Sequence, residues 1–552
     1  MRGGLRVGQG AFWRAALLAL LTLAALASRT AVPVDETRYL AVAWEMWQRG
    51  DFLVPFRNGE AYSHKPPLLF WLFHAGWAVF GVNDLWPRLI PPLLALATLG
   101  VTTRIASSLW PDAPWRAERS AWILLGCLVF AVFAGMVMFD MLLALCVSIG
   151  ALGLVLAPHA PGRGFALLAV AIGGGVLAKG PVVLLHLLPA ALLAPCWLKD
   201  RTMPWRRWYA GVVLALIGGA AIALAWAIPA GLRGGDDYRN AIFWGQTANR
   251  MVDSFAHQRP IWWYVALLPI LAAPWILWRP FWRGLRTGAL LADRGGRLAL
   301  TLALVTFAAF SLVSGKQVHY LVPQFPAFAL IVALALDQPQ RAARPWLAIL
   351  GLASLGVAVI ALPHVKLPPT VVALHTVAPA WSAAFVTLAV WLAWTPRPPE
   401  RQVPRMAAAS VLMVALAQLV FVRPLSPAYD VRPLARKIAE LQAAGRPVGH
   451  DGVYHAQYQF AGRLAKPIEE LSSHVEAEHW VAAHPDAAIV LYFRPPFDPA
   501  PLGPLAMQRF RGRIAALFDA RAALALLAKA EAESEPDPER SAVEKARPRP
   551  PR

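Results

Sequence analysis

Long apolar runs recur along this chain and limit the folds that it can adopt. A transmembrane helix needs about 20 mostly apolar residues, and 58% of the 552 residues are hydrophobic, too many for a soluble chain of this size. The pattern predicts an α-helical polytopic membrane protein with about 13 transmembrane helices. The predicted spans are 12–28, 87–105, 120–137, 141–158, 165–178, 181–197, 209–229, 261–278, 298–313, 321–337, 346–362, 371–394 and 406–423.

A further apolar run, 68–82, is short and contains His74, Gly76 and Gly81. If this run does not cross the membrane and the N-terminus is cytoplasmic, the inside segments hold 20 Lys and Arg in 83 residues. The outside segments then hold 13 in 119 residues, which is the bias that the positive-inside rule requires. We therefore expect 68–82 to be a helix at the external surface.

The first apolar run follows Arg2 and Arg6, as in a signal peptide, but no small-residue cleavage site follows it, which predicts an uncleaved first helix. The three cysteines lie in apolar spans, so neither a disulfide framework nor a cysteine-based metal motif is expected. The net charge of +20 comes largely from short loops between spans, which argues against a nucleic-acid partner. No Gly-rich phosphate loop is found, so no nucleotide cofactor is expected.

The composition changes after Val422. Residues 425–530 alternate helix-like runs with strand-like runs near 447–453 and 487–493, which predicts a small external α/β domain. The last residues, 531–552, are charged and rich in proline, as in a disordered tail. The predicted organisation is thus a transmembrane domain over 1–424, with its first external loop at 29–86, followed by these two regions.

In this topology the polar clusters all fall on the external side. Such charges are costly within a membrane and are kept where water and substrate meet them. Their convergence predicts one site at the membrane–water boundary, formed from Asp35, Glu36, His64, Lys65, Asp140, Lys179, Asn249, Arg250, His257, Lys316, His319 and Tyr320.

The first outer loop closely resembles that of the lipid-linked sugar transferases, a group that includes the 4-amino-4-deoxy-L-arabinose transferases and the protein O-mannosyltransferases. The matching motifs are Asp35-Glu36-Thr37-Arg38-Tyr39, Gly50-Asp51, Asn58-Gly59 and Lys65-Pro66-Pro67-Leu68. The blocks GVLAKGPVVLL, HQRPIWWY and SGKQVHYLVPQFP follow in the same order, so the resemblance covers most of residues 15–425. It implies a GT-C fold and an inverting transfer of sugar from a polyprenyl phosphate to an external acceptor.

The resemblance also implies roles for three carboxylates. Asp35 would be the catalytic carboxylate, acting as general base on the acceptor or orienting it, and Glu36 would support it. Adjacent acids at a helix start are also ordinary interfacial residues. Asp140, alone among apolar residues, is either a partner for one of the cations or a group that contacts substrate.

A lipid phosphate that leaves with the electron pair of the broken bond needs cations aimed at its charge. Lys65 stands before two prolines, which restrict the backbone and favour a helix start there. Each cation alone is equally an interfacial anchor. The candidates for binding the donor phosphate are Lys65, Lys179, Arg250, Arg259, Lys316 and Tyr320.

His64 and His257 are candidate metal ligands. With Asp35, Glu36 or Asp140 they would form a nitrogen–oxygen site suited to zinc. The arabinose transferases usually carry Glu where this chain has His64, so the acid role at that position does not carry over. The alternative is that two histidines so far apart in the sequence share no metal.

The leading hypothesis is a glycosyltransferase of a bacterial inner membrane that moves an aminoarabinose-like sugar to lipid A or a related lipid, with its site and C-terminal domain in the periplasm. Its partners would be a polyprenyl-phosphate-linked sugar, a lipid or glycan acceptor and the membrane. Transfer to protein or glycan, as in the O-mannosyltransferases, is the nearest alternative. A transporter would need polar residues near the middle of the membrane.

Overall fold

The computed structural model describes residues 7–199, 202–245, 258–337, 342–394 and 396–533, and most of them are helical. Within these ranges nine helices are long and apolar enough to cross a membrane: Gln9–Ser28, Leu85–Leu109, Phe139–Leu156, Pro161–Lys179, Trp205–Arg233, Arg294–Leu312, Val318–Ala335, Trp346–His364 and the long apolar helix that begins at Pro399. Three shorter apolar helices are Leu68–Phe80, Val182–Leu192 and Pro379–Ala393. The expected α-helical polytopic architecture is confirmed, although the predicted number of spans is not reproduced helix by helix.

Several predicted spans differ because the helix is broken within the apolar run. The run at 120–137 forms two helices, Pro114–Gly126 and Leu128–Phe133. The run at 261–278 forms the helix Trp263–Leu271 and a 3-10 turn, with Pro274 in the break. The two breaks meet, since the Leu128 N–H donates to the Ala273 carbonyl at 3.3 Å. Backbone groups that lose their helical hydrogen bonds inside a membrane must find other partners in the protein. Here one break supplies the N–H donor and the other supplies the carbonyl acceptor.

Some of these apolar segments contain a shorter α-helix with its own bounds, and further helices lie in the loops and the C-terminal region. The first three helices of the chain are α1 (Val7–Ser28), α2 (Asp35–Arg49) and α3 (Leu68–Phe80). The others are Ala194–Trp197, Gly235–Asn240, Arg279–Leu285, Ala289–Ala292, Phe325–Ala335, Trp346–Ala361, Ser382–Ala393, Pro399–Ala417, Arg423–Leu425, Arg432–Ala443, Gln459–Gly462, His474–Ala483 and Ala520–Glu533.

The predicted first external loop, 29–86, is folded rather than extended. Helix α2 carries two acids in its first turn and Arg49 in its last, which suits the helix dipole, and it ends at Gly50 in a left-handed conformation (φ 63°). Its apolar side packs against α3 in one buried cluster that includes Leu40, Met46 and Phe73. Helix α3 has only 13 residues, fewer than a spanning helix needs.

The C-terminal region forms a five-stranded sheet of order β4-β3-β5-β7-β6. The first loop contains its own hairpin, β1 (Phe56–Arg57) and β2 (Glu60–Ala61), and the sheet comprises β3 (Val448–Asp451), β4 (Glu469–Leu471), β5 (Ala488–Phe493), β6 (Ala506–Phe510) and β7 (Arg513–Asp519). Strand β3 is parallel to β4 and β5, whereas β7 is antiparallel to β5 and β6. Apolar clusters cover both faces, one with the helix Arg432–Ala443 and the other with His474–Ala483.

The hairpin β1–β2 attaches the first loop to this sheet domain. Asn58 occupies the left-handed region (φ 55°), as residues at such turns often do. Its Nδ2 donates to the Ile468 carbonyl at 2.8 Å, and its Oδ1 accepts from the Ile468 N–H and the Gln459 amide, both at 2.8 Å. Trp77 of α3 stacks on Phe460 with ring centroids 5.4 Å apart. The first loop and the sheet domain therefore share one continuous interface, which is called the seam below.

Replacing Asn58 with Asp should loosen this seam. The change keeps a side chain that tolerates the left-handed conformation, but a carboxylate oxygen then faces the Ile468 carbonyl where an N–H donated before. A lost donor with an unsatisfied partner costs about 1–3 kcal/mol. We expect faster hydrogen exchange in the peptide 459–471, measured by mass spectrometry.

The exposed Asn240 provides a matched control, since Asn240→Asp changes the same group in another outer segment. Equal protection of 459–471 in Asn58→Asp and the wild type would show that the hairpin does not hold the domain.

Candidate active site

Glu36 is the most heavily bonded acid of the first outer loop. Its side chain is 1% exposed and forms an ion pair with Arg29 at the end of α1. It also accepts from the Val32 and Val137 N–H groups, each at 2.6 Å, while Arg29 donates to the Gly135 carbonyl at 2.7 Å. Glu36 thus joins the end of α1, the start of α2 and the turn at 135–137. These contacts give Glu36 a structural role, and they do not favour the direct catalytic role that was considered for Glu36.

Asp35 faces the opposite way. Successive residues of a helix are rotated by about 100°, so burial of Glu36 directs Asp35 outward, where its side chain is 51% exposed. It forms an ion pair with Arg38, one turn further along α2. Of the two adjacent acids, Asp35 is therefore the one presented to solvent.

Asp140 and Lys179 form a buried ion pair. Asp140 lies in the first turn of Phe139–Leu156 and Lys179 in the last turn of Pro161–Lys179, positions that suit the two helix dipoles. The Lys179 Nζ lies 2.5 Å from the Asp140 Oδ1, and the carboxylate side chain is 2% exposed. The same Nζ lies 5.0 Å from the centre of the Tyr320 ring. The structure thus brings together three predicted site residues that are far apart in the sequence.

Lys65 belongs to the same group of charges. Pro66 and Pro67 follow it, and α3 begins directly after them at Leu68. The charge of Lys65 acts on the carboxylate of Asp140 together with that of Lys179. Lys65 and Asp35 both also act on His319. The same neighbours therefore feel the charges of four residues at one end of the helical bundle: Asp35, Lys65, Asp140 and Lys179.

His319 was one of the residues predicted for this site, whereas Arg38, Tyr39 and Tyr62 were not. His319 contacts the rings of Phe133 and Tyr320, at 5.8 and 4.8 Å between centroids. The side chains of Arg38, Tyr39 and Tyr62 interact electrostatically beside Asp35. Arg38 and Tyr39 belong to the motif that begins at Asp35, and Tyr62 lies two residues before His64, so the motifs themselves were the signal.

Asp51 of the Gly50-Asp51 motif has a structural task. Its carboxylate accepts from the Leu53 and Val54 N–H groups at 2.9 and 3.2 Å, and from the Arg233 Nε at 2.9 Å. Burial opposes ionisation, but these three donors hold the pKa of Asp51 below its usual value. The motif therefore ties the first loop to the C-terminal end of Trp205–Arg233.

Lys316 and Arg259 are joined through the backbone. The Lys316 Nζ donates to the Arg259 carbonyl at 3.0 Å and to the Val313 carbonyl at 2.5 Å, and the residue is only 3% exposed. The Arg259 N–H donates to the Ser314 carbonyl at 3.0 Å. An ammonium enclosed by carbonyls is poorly presented to a phosphate, so these contacts do not favour the predicted donor-binding role of Lys316. The side chain of Arg259 is exposed.

The remaining predicted residues are the two candidate metal ligands, His64 and His257, and the candidate phosphate-binding residue Arg250. His64 is exposed, and its ring lies 5.2 Å from that of Tyr62. His257 and Arg250 lie outside the described residues. Among the residues that the structure does describe, no group of three or more His, Cys, Asp or Glu side chains is arranged to hold a metal ion. The zinc hypothesis therefore stays a prediction.

The helical bundle and its folded first loop have the GT-C fold. A solved protein with this fold is ArnT from Cupriavidus metallidurans, whose crystal structure was determined with bound undecaprenyl phosphate. The likeness has a TM-score of 0.71, covers 93% of this chain and 98% of that one, and has 21% sequence identity. The apo state of the same protein matches to the same extent. The expected GT-C fold is confirmed.

Curated relatives give a second comparison. The chain is 32% identical over 343 residues to the undecaprenyl phosphate-alpha-4-amino-4-deoxy-L-arabinose arabinosyl transferase of Pseudomonas paraeruginosa. It is 31% identical over 314 residues to an enzyme of the same name, numbered 1, from Pseudomonas fluorescens. The chain spans 60% and 52% of the length of these two relatives. No family model matches the chain.

The pairing of Asp140 with Lys179 can be tested by breaking it from either side. Removing one partner of a buried ion pair leaves an uncompensated charge and costs about 3–5 kcal/mol, whereas replacing both partners costs much less. We expect Asp140→Asn and Lys179→Met each to lower the Tm of the detergent-solubilised protein, and the double variant to regain a large part of the loss.

The exposed ion pair of Lys437 with Glu440 gives the control cycle, because exposed pairs contribute about 0–1 kcal/mol. If the losses of Asp140→Asn and Lys179→Met simply added, the two residues would not act as a pair.

Proposed function

We propose that this chain is an integral-membrane glycosyltransferase that moves a sugar from a polyprenyl-phosphate donor to an external lipid acceptor. The observation that carries this proposal is the convergence of Asp35, Lys65, Asp140 and Lys179 at one end of a GT-C bundle. A carboxylate and cations at one membrane boundary are the groups that transfer from a lipid phosphate requires.

The cations would hold the phosphate of the donor. Lys179 and Asp140 together are neutral, so Lys65 makes the group of three positive. The Tyr320 ring beside Lys179 limits water around its ammonium, and charges act more strongly where water is excluded. A phosphate that gains negative charge as the sugar leaves is stabilised most at such a position.

Asp35 would act on the acceptor. In an inverting transfer, an acceptor oxygen forms a bond to the anomeric carbon while the bond to the lipid phosphate oxygen breaks and the phosphate takes the electron pair. If the acceptor is a hydroxyl, its proton passes to the Asp35 carboxylate. If it is a phosphate, which is already ionised, Asp35 has only to orient it. Glu36 supports both cases as a positioning residue, because it fixes the start of α2.

The specific hypothesis is transfer of an aminoarabinose-type sugar to lipid A or a related lipid. It is supported by the names of the two relatives, which specify undecaprenyl phosphate and 4-amino-4-deoxy-L-arabinose. The test is mass spectrometry of lipid A after incubation with the purified protein and the undecaprenyl-phosphate-linked sugar. An added pentosylamine mass is expected. Modification of protein or glycan alone would favour the O-mannosyltransferase-like alternative.

We also propose the orientation in a bacterial inner membrane. The loop-charge bias supports a cytoplasmic N-terminus, an active site on the periplasmic side and an external C-terminal domain. The Asn58 seam supports one side for the first loop and the sheet domain, because their contact requires it. A reporter fused after Pro424 that is active only in the cytoplasm would contradict this orientation.

Zinc enters the proposal only as an ion that His64 and His257 would bind. Imidazole nitrogens suit zinc, and no catalytic step described above depends on it. Elemental analysis of the purified protein, the wild type against His64→Ala and His257→Ala, tests it. A metal-free, fully active wild type would end the idea.

Asp35→Asn should reduce transfer by about 10²–10⁴-fold, since general base catalysis is typically worth this much. The amide keeps the size of the side chain but cannot take a proton. Initial rates with a hydroxyl acceptor, measured on protein that inserts and elutes as the wild type does, provide the readout.

The matched control is Asp236→Asn, because Asp236 is also exposed and pairs with an arginine three residues later. Near-normal turnover of Asp35→Asn would rule out the base. A loss of only a few fold would point to orientation.

Lys65→Ala should lower kcat, or raise the KM for the donor, more than Lys366→Ala does. Lys366 is an exposed lysine of another outer loop, so it reports the effect of losing a general external charge. The expected difference arises because Lys65 acts on the same carboxylate as Lys179. If the two changes had equal kinetic effects, Lys65 would act only as an interfacial anchor.

A further inference from the structure

Three polar side chains meet inside the apolar part of the helical bundle and are called the buried polar cluster below: His186, Thr306 and Gln324. His186 and Thr306 are 0% exposed, and Gln324 is 7% exposed. None of the three was among the predicted site residues. They belong to three different elements, which are the helix Val182–Leu192, the helix Arg294–Leu312 and the 3-10 segment Val318–Gln324.

The amide of Gln324 joins the cluster together. Its Nε2 lies 2.6 Å from the His186 Nδ1 and donates to the Thr306 Oγ1 at 3.3 Å. The Thr306 hydroxyl donates in turn to the Leu185 carbonyl at 3.2 Å. An amide nitrogen can only donate, so in this arrangement the His186 Nδ1 is the acceptor. The end of the 3-10 segment is thus bonded to both neighbouring helices.

The cluster connects the two segments that carry Lys179 and Tyr320. Lys179 is the last residue of its helix, and the next helix along the chain carries His186. Tyr320 lies four residues before Gln324 in the same 3-10 segment. The contact between Gln324 and His186 therefore cross-links these segments close to the point where the Lys179 Nζ lies 5.0 Å from the centre of the Tyr320 ring.

The ring of Phe310 fills the space between the cluster and this contact. Its centroid lies 5.2 Å from that of the His186 ring and 6.0 Å from that of the Tyr320 ring. Phe310 is itself buried, with 5% of its surface exposed. Closely packed side chains transmit a displacement to their neighbours, so a shift of His186 or Gln324 reaches the Tyr320 ring.

Stability alone does not explain why these side chains are polar. Neither the Gln324 Oε1 nor the His186 Nε2 has a hydrogen-bond partner among the residues that the structure describes. A buried polar atom without a partner is destabilising, whereas apolar side chains of similar size would fill the same space without that cost. Polar and ionisable residues inside a membrane bundle are typically kept for function.

From this geometry we propose that the buried polar cluster positions Tyr320 over Lys179. Gln324 and His186 are positioning residues, because they act through the Tyr320 ring. They hold the 3-10 segment so that the ring stays against the ammonium and limits the water around it, where charge acts most strongly. The inference deepens the proposed function, in which Lys179 helps to hold the donor phosphate, and only its kinetic test rests on that function.

The first test uses the full-length protein with His186→Leu and Gln324→Met together. Both partners of the hydrogen bond become apolar, so the Tm in detergent should equal that of the wild type or exceed it. The rate at which an amine-acylating reagent modifies Lys179, followed by mass spectrometry, should nevertheless rise about 2–30-fold. This range corresponds to the loss of a cation–π contact, since the amine must leave the Tyr320 ring to react.

Tyr320→Ala should raise the modification rate of Lys179 to a similar extent, and adding the double variant to it should change the rate no further. Gln402→Met is the matched control, because Gln402 is also 0% exposed but belongs to the helix Pro399–Ala417. It should leave the rate unchanged. Thr306→Val, which removes one of the two acceptors of the Gln324 amide, gives the same comparison if the double variant does not fold.

Kinetics separate this inference from the proposed function. The double variant should raise the KM for the undecaprenyl-phosphate-linked sugar and leave the KM for the acceptor unchanged. If the Lys179 rate responds as expected but the wild type transfers no sugar, the proposed function fails and the positioning stands. If Lys179 reacts in the double variant as it does in the wild type, or if Gln402→Met has the same effect, the inference is overturned.

Discussion

The contacts of one buried carboxylate, Glu36, determine how the first loop is arranged against the helical bundle. An acid that is 1% exposed is stable only when cations and donors compensate for the lost water. Arg29 and the N–H groups of Val32 and Val137 do so. Because these partners come from the end of α1 and from the turn just before Asp140, the same interaction fixes the distance between the first loop and the helix Phe139–Leu156. The relative positions of Asp35 and Asp140 follow from it.

The ends of the helices account for the place of the proposed site. Asp140 begins a helix, Lys179 ends the next one, and Tyr320 lies in a 3-10 segment that leads into Phe325–Ala335. Charges at helix ends gain from the helix dipole and avoid the cost of burial at mid-membrane. Helix ends that lie close together therefore concentrate functional groups in one place. This arrangement differs from that of a transporter, whose polar groups line a path through the membrane.

Much of this could be predicted from sequence, and the parts that could not have identifiable physical reasons. Apolar runs indicated where helices lie, but composition does not distinguish a straight helix from one broken at Cys127 or near Pro274. The motifs identified Asp35, Lys65, Asp140 and Lys179, yet not which cation pairs with Asp140, since that depends on how helices pack. Lys316 was assigned by its position in a motif, whereas its ammonium binds two backbone carbonyls.

The hairpin that clamps the sheet domain to the first loop has a consequence for how such chains diverge. Asn58 offers both a donor and an acceptor to partners that include Gln459 and the backbone at Ile468. A substitution on one side of that contact is tolerated only when the other side changes to match. The two regions would therefore be inherited as a unit. Exchange of the C-terminal domain between homologues would succeed only when the hairpin is exchanged together with that domain.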